Sequence, residues 1–395
     1  MVAGDVFMVG RFSKRVISLK PSPTLSMAEK ANRLRREGKN IIKLDIGEPD
    51  FDTPQYIKDA CIDALKSGYT HYTSSRGLLE LREAIAEYYL KYFKVEVDAE
   101  SEIIVTPGSK FAIYSVLQSI VDSGDEVVVL TPAWPTYISC ITLFGGKPVE
   151  VPYYLNNSDE ESIKSAISSR TKALMINSPN NPTGNVLSRD YFKLILDLAE
   201  DYDFYVISDE IYRLLVYDDF SPFTILSLVD SLDRVVVIDG FSKAYAMTGW
   251  RLGFTIASKQ LINLLVRIQQ NSVTCPAAFV QIAGVKALKG DQGPVERMVK
   301  EYDARRKFLV DALNSIKGVK CPRPGGAFYV FPDFSALNMN SMELAEMLLL
   351  KAGVCTVPGS VFGAGGEFHL RISYASSIEN LREGVERIRT FIENL

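Results

Sequence analysis

Between about residues 100 and 260 the chain alternates two hydrophobic patterns. Short unbroken runs of apolar, mostly β-branched residues appear at "EIIVT" 102–106, "EVVVL" 126–130, "KALMIN" 172–177, "FYVIS" 204–208, "VVVID" 235–239 and "GFTIA" 253–257. Runs of this length and composition read as strands buried on both faces. Between most of them lie segments with apolar residues three and four apart, such as "DYFKLILDLAEDY" 190–202, which is helical spacing. Strands alternating with helices predict an α/β fold with a mostly parallel, doubly wound sheet. Such sheets bind ligands beyond the carboxyl ends of their strands.

From about residue 291 the pattern changes to a charged amphipathic helix, "VERMVKEYDARRKFLVDALNSI", followed by "PGGAFYVFPDF" and "EFHLRISYA" as strands. This predicts a smaller α+β unit with a core of its own. The first 20 residues read as an arm, because "KPSPT" 20–24 is too rich in proline for a helix interior. The expected division is an arm and small-domain segment over 1–46, a large domain over 47–290 and a small carboxyl-terminal domain over 291–395. No tandem repeat, low-complexity tract or long linker interrupts it.

Composition narrows the function classes. A chain of 395 residues exceeds the usual single-core size. Its 47% hydrophobic and 23% charged residues are ordinary for a globular protein, and a net charge of −4 offers no general attraction to nucleic acid or membrane phosphates. Five scattered cysteines, Cys61, Cys140, Cys275, Cys321 and Cys355, form no C-x-x-C pair. Their odd number and spacing argue against a disulfide framework and a zinc site, so they read as reduced core thiols. "MVAGDVFMVGRFSKRV" has too short an apolar stretch for a secretory signal, and no later run approaches a membrane span. The expectation is a cytoplasmic protein directed at small molecules, with no nucleic-acid or membrane partner and no metal. His71 and His369, the two histidines, form no triad.

Five constellations fall at the ends of the predicted strands. "DGFSKAYAMTGWRLGF" 239–254 sets Lys243 among small residues, with Arg251 further on. A lysine there either snorkels to water or serves a ligand at the sheet edge. "TPGSKFAIYSV" 106–116 follows a strand and opens a helix. There the Gly108, Ser109 and Lys110 amides suit a phosphate at the positive helix end, while Ser109 equally reads as a plain N-cap. "VISDEIYRLLVY" 206–217 ends a buried strand on Asp209 and Glu210, where a carboxylate needs a partner. "TPAWPTY" 131–137 fixes Trp134 between prolines, and "NSPNNPTGNVLS" 177–188 makes a rigid turn. A lysine for a Schiff base, a phosphate cradle with an arginine, a buried carboxylate for a ring nitrogen and a flat aromatic together match what pyridoxal 5'-phosphate requires.

These motifs resemble the class I aminotransferases of the fold-type I pyridoxal phosphate enzymes, most of all a prokaryotic aspartate aminotransferase subgroup. The resemblance runs from "KPSPT" to "RISYA", and "GFSKAYAMTGWRLG" fits the family's lysine signature at every constrained position. It implies Lys243 as the Schiff-base lysine, later the general base, Asp209 on the pyridinium nitrogen, and Tyr212 and Asn181 on the ring hydroxyl oxygen. Arg251, Ser109, Ser242 and the Gly108 region would hold the phosphate, with Lys110 beside them. Trp134 would stack on the ring and, with Asn181, face the substrate. Arg371 of "HLRISYA" would take the substrate α-carboxylate as a guanidinium fork, with the Gly47 loop of "LDIGEPDFDTP" closing nearby. Tyr72 of "HYTSSRG" would be donated to the phosphate by the neighbouring subunit, which implies a homodimer with shared sites. One position departs: the serine often found three residues before the lysine is Gly240 here.

The implied reaction is a ping-pong transfer of an amino group from an amino acid to 2-oxoglutarate. For the donor, "RIQQNSVT" offers Gln269 and Gln270 where an arginine for a distal carboxylate would stand. Lys110, with Thr24, resembles the distal-carboxylate contact of the prokaryotic subgroup, which points to aspartate; Lys110 also reads as a solvated first-turn lysine. Aromatic amino acids are the alternative donors. A carbon-sulfur lyase on the same scaffold would keep every cofactor residue.

Overall fold

A computed structural model describes residues 12–17, 19, 23–153 and 160–395. After β1 (Ile42–Lys43) come the seven strands of the main sheet: β2 (Ile103–Thr106), β3 (Glu126–Thr131), β4 (Lys147–Pro152), β5 (Thr171–Asn177), β6 (Tyr205–Asp209), β7 (Val235–Gly240) and β8 (Gly253–Ile256). Their order is β2-β8-β7-β6-β5-β3-β4. β8 runs antiparallel to both its neighbours, and every other pair is parallel. The mostly parallel α/β sheet is therefore present.

The pleat explains why unbroken apolar runs were needed. Alternate residues of each strand feed opposite cores. Val235 and Val237 join one cluster with Leu174, Ile176 and Val206, while Val236 and Ile238 join another with Ala173, Met175 and Ile207. The helix Arg189–Tyr202 packs on the first of these through Phe192, Ile195, Leu198 and Ala199, and Ser188 caps it by accepting from the Tyr191 amide. β4 was not expected from the sequence. It is an edge strand with only Val151 buried and prolines at 148 and 152, so it lacks the two-sided apolar run that marks the others.

Residues 293–314 form the long helix expected after 291. The glycine- and proline-rich stretches around the later strands shorten them to β9 (Tyr329–Val330), β10 (Val354–Cys355), β11 (Val357–Pro358) and β12 (Leu370–Ser373). β11, β12 and β9 form an antiparallel sheet, and β1 pairs with β10 in parallel. The helix Pro23–Arg36 begins at a proline of "KPSPT", the one helical turn that tolerates it. Met27, Ala31, Leu34, Ile42 and Leu44 share a core with Leu309, Leu344, Leu370 and Ile388, so both ends of the chain build one unit. The arm lies mostly outside the described residues.

Four of the five cysteines are buried and none is disulfide-bonded. Among the described residues no helix is long and apolar enough to cross a membrane, and no cluster of side chains could hold a metal ion. His369 stacks on Phe331, with ring centroids 4.9 Å apart.

Candidate active site

Strand ends and one loop of the smaller unit enclose a cavity of about 570 Å³. Its wall includes Gly47, Ser109, Lys110, Trp134, Asn181, Asp209, Tyr212, Ser242, Lys243, Arg251 and Arg371. Eleven residues singled out in the sequence thus meet at one place.

Asp209 closes β6 and is 2% exposed. Its hydrogen-bond partners are a hydroxyl and a main-chain amide rather than a cation. Its Oδ2 accepts from the Tyr137 hydroxyl at 2.6 Å and its Oδ1 from the Ile211 amide at 3.2 Å. Burial still dominates and lifts the carboxyl from 3.8 to about 6. Glu210, equally buried, points away from the cavity to Ser208 and the Ile225 amide and is lifted by burial to about 7.

Lys243 donates to the Gly47 carbonyl and lies 5.7 Å from the centroids of the Tyr212 and Phe328 rings. Burial, and after it the positive charge of Arg371, lower its ammonium from 10.5 to about 8. This is the direction that a nucleophilic or basic lysine needs. The Tyr212 hydroxyl shares a 2.9 Å hydrogen bond with that of Tyr329. The two tyrosines therefore hold the wall that faces the lysine.

Arg371 stands on β12, 4% exposed. It donates to Asn181 Oδ1 at 3.0 Å and to the Asp45 carbonyl at 2.7 Å, and its guanidinium carbon sits 4.4 Å from the Tyr329 ring centroid. Its Nε is buried without a hydrogen-bond partner. Asn181 is fixed in turn by its amide, which donates to Asn177 Oδ1 at 2.8 Å.

At the other end the helix Ser109–Ile120 opens on Gly108, whose φ of +82° suits glycine. A Cβ there would lie 2.6 Å from Arg251 Nη2, so glycine lets the guanidinium close over the helix start. Ser109 Oγ donates to the Asp239 carbonyl at 2.9 Å. The departure at 240 now has a physical reason: a Cβ there would meet Ser109 Oγ at 2.6 Å and the Gly253 Cα at 3.0 Å. A serine at 240 has no room beside Ser109. Lys110 Nζ sits 4.9 Å from the Trp134 ring centroid at the cavity rim, with its pKa lowered first by burial.

Tyr72 does not join the cavity of the single chain, and 86% of its surface is exposed. Thr24 falls in the helix Pro23–Arg36, but its side chain lies outside the described residues. Sequence reasoning missed Tyr137, Asn177, Tyr329, Lys43 and Asp45, all on the cavity wall. Tyr137 stood in the quoted "TPAWPTY" and Asn177 at the end of "KALMIN"; nothing in their spacing announces the hydrogen bonds they make to Asp209 and Asn181.

The sequence pattern of the family Aminotransferase class I and II matches residues 39–388, and the chain belongs to that family. It is 45% identical over 355 residues to an aspartate aminotransferase of Pyrococcus abyssi, covering 89% of this chain and 91% of the relative. It is 39% identical over 386 residues to an aromatic-amino-acid aminotransferase of Thermococcus litoralis, covering 96% and 98%. The solved structure of the aspartate aminotransferase from Thermus thermophilus with maleate superposes with a TM-score of 0.92 at 40% identity, covering 96% of this chain and 99% of that one. Membership implies pyridoxal phosphate as cofactor. The donor set fits that group: a buried carboxylate, a lysine of lowered pKa and a helix start under an arginine line one cavity.

Proposed function

We propose that the protein transfers the amino group of aspartate to 2-oxoglutarate with pyridoxal phosphate, working as a homodimer with shared sites in the cytoplasm. One observation carries the substrate reading: the cavity has a guanidinium, Arg371, at one end and a lysine, Lys110, at its rim beside Trp134. With Lys243 and Arg251 assigned to the cofactor and Lys43 beside Asp45, Arg371 and Lys110 are the lining cations left for a substrate with two carboxylates. The bound cofactor supplies an aldehyde for amine exchange and a protonated ring that withdraws electrons from the substrate α-carbon.

In this reading Lys243 anchors the cofactor and then moves the substrate α-proton, its basicity set by burial and by Arg371. Asp209, held by Tyr137 and Ile211, keeps the ring nitrogen protonated. Tyr212 and Asn181 bind the ring oxygen, Trp134 orients the ring, and Gly108, Ser109, Ser242 and Arg251 bind the phosphate. The exposed Tyr72 completes the phosphate site of the partner subunit. Arg371 fixes the α-carboxylate, while Gly47 closes over it and Lys110 and Thr24 meet the distal one. The division at 46 and 290 belongs to the same reading and is supported by the core that both chain ends share.

Aromatic donors are the second reading, favoured by Trp134 at the rim and by the similarity to an aromatic-amino-acid enzyme. A panel of amino donors with several 2-oxo acids tests both. Turnover of aspartate only with an added 2-oxo acid supports the transferase. Product formed without an acceptor would mean a lyase, and a preference for phenylalanine or tyrosine would move the assignment to the aromatic class.

A further inference from the structure

The segment "KLDIG" 43–47 brings two opposite charges to a stretch from which the site needs only backbone. Lys43 and Asp45 both line the cavity. Asp45 is 6% exposed, and its Oδ2 lies 3.9 Å from Lys43 Nζ, which also donates to Asn32 Oδ1 at 3.0 Å. The main-chain oxygen of Asp45 accepts from Arg371. Its Oδ1 is buried with no hydrogen-bond partner, as is Arg371 Nε.

A buried carboxylate oxygen without a strong donor costs free energy; the Cys355 thiol beside Asp45 is only a weak one. The ladder between β1 and β10 runs through the amides of Ile42 and Leu44. Burial pushes the Asp45 carboxyl up, and the positive charges of Lys43 and Arg371 draw it back. Asp45 therefore lies in the field of two cations, Lys43 and the carboxylate fork.

We propose that Asp45 and Lys43 form a charge-setting pair that determines how tightly Arg371 holds a substrate carboxylate. The inference rests on reading Arg371 as that fork. Ionised Asp45 competes for the field of Arg371 and repels the incoming carboxylate, while Lys43 offsets the charge of Asp45. A restrained fork has a use: substrates and products of both half-reactions carry the same carboxylate, and binding them all tightly lowers KM without raising kcat. The pair is a positioning and specificity device that acts through Arg371.

The test is the dissociation constant of maleate, a dicarboxylate with no amino or oxo group, on the holoenzyme, together with KM and kcat for aspartate. Asp45→Asn keeps the shape and removes the charge; maleate then binds about threefold to tenfold tighter, and KM falls more than kcat changes. Lys43→Met leaves Asp45 without its counter-charge and weakens binding by a similar factor. The double variant returns to within about twofold of the wild type, because the two fields cancel. A merely structural role would weaken binding in both single variants and further in the double. That pattern, or an Asp45→Asn affinity equal to the wild type, overturns the proposal. Arg371→Leu separates the two levels. If it keeps maleate affinity, the fork reading itself fails; if it loses affinity while the Asp45 and Lys43 variants match the wild type, only the pair's role fails.

Discussion

In the cofactor-free protein, Asp209→Asn is expected to stabilise the fold at alkaline pH, although the side chain it removes is central to the site. Burial lifts the Asp209 carboxyl from 3.8 to about 6. A carboxyl raised in the folded state contributes stability that is fully present below the unfolded value of 3.8 and is lost as pH rises through about 6. A rise of about two units corresponds to about 3 kcal/mol at pH 8, and to about half of that at pH 5, where the folded carboxyl is still mostly protonated. Asparagine keeps one oxygen, enough for only one of the Tyr137 and Ile211 donors; the lost bond and the buried amide hydrogens take back about 1–2 kcal/mol. The variant should therefore be about 1–2 kcal/mol more stable than the wild type at pH 8 and about equal to it at pH 5. Urea unfolding of cofactor-stripped wild type and variant at both pH values measures the difference. A difference that does not change with pH, or that turns against the variant at pH 8, would refute the claim that ionised Asp209 is a net burden until a cationic ring nitrogen meets it.

Three further outcomes follow from the site. Lys243→Ala should fold and still bind cofactor, but borohydride reduction and peptide mapping should then find no reduced cofactor attached; in the wild type, attachment at another lysine would remove Lys243 from its place. Lys110→Ser should cost about 2–4 kcal/mol of transition-state binding for dicarboxylic substrates. Measured as kcat/KM, this is a loss of about 30- to 1,000-fold for aspartate and less than about threefold for phenylalanine, and equal losses would assign Lys110 to the phosphate or the helix start. Gly240→Ser should lower stability by about 1–3 kcal/mol and weaken cofactor binding, since its Cβ meets Ser109 Oγ and the Gly253 backbone. A thermal melt and a cofactor titration check it, and an unchanged pair of values would mean that Ser109 has freedom to move.

Strands buried on both faces were legible because their apolar runs are continuous, and the parallel sheet followed from their alternation with helices. β4 was not, since an edge strand with one buried residue carries no such signal. Residues at strand ends were legible for a related reason: Asp209 is conspicuous as a carboxylate closing an apolar run, and Lys243 as a lysine among small residues. Tyr137, Tyr329 and Asp45 were hidden because their importance lies in partners distant in sequence. Tyr137 reaches Asp209 across 72 positions, Tyr329 reaches Tyr212 across 117, and the Asp45 carbonyl reaches Arg371 across 326. Local pattern carries information about one element at a time, whereas these contacts exist only once the end of β6 meets β9 and the helix Thr136–Leu143, and β12 meets the stretch after β1.

The two halves of the site stand on different sheets, and their charges are coupled. Lys243 follows β7 of the main sheet, while Arg371 stands on β12 of the smaller one. Arg371 is nonetheless the second cause, after burial, of the lowered pKa of Lys243. A carboxylate that pairs with Arg371 cancels part of that field, so it must raise the basicity of Lys243. By reciprocity, a protonated Lys243 strengthens the site's hold on the carboxylate, and a neutral one weakens it. Without a bound carboxylate the lysine is thus kept closer to its neutral form, and under the proposed roles a substrate carboxylate at Arg371 would make it a better proton acceptor at the α-carbon. Under the proposed pairing, Asp45 acts on the same field. The charge at position 45 therefore reaches Lys243 through Arg371, which is why a residue that touches neither the lysine nor Asp209 belongs to the electrostatics of the reaction.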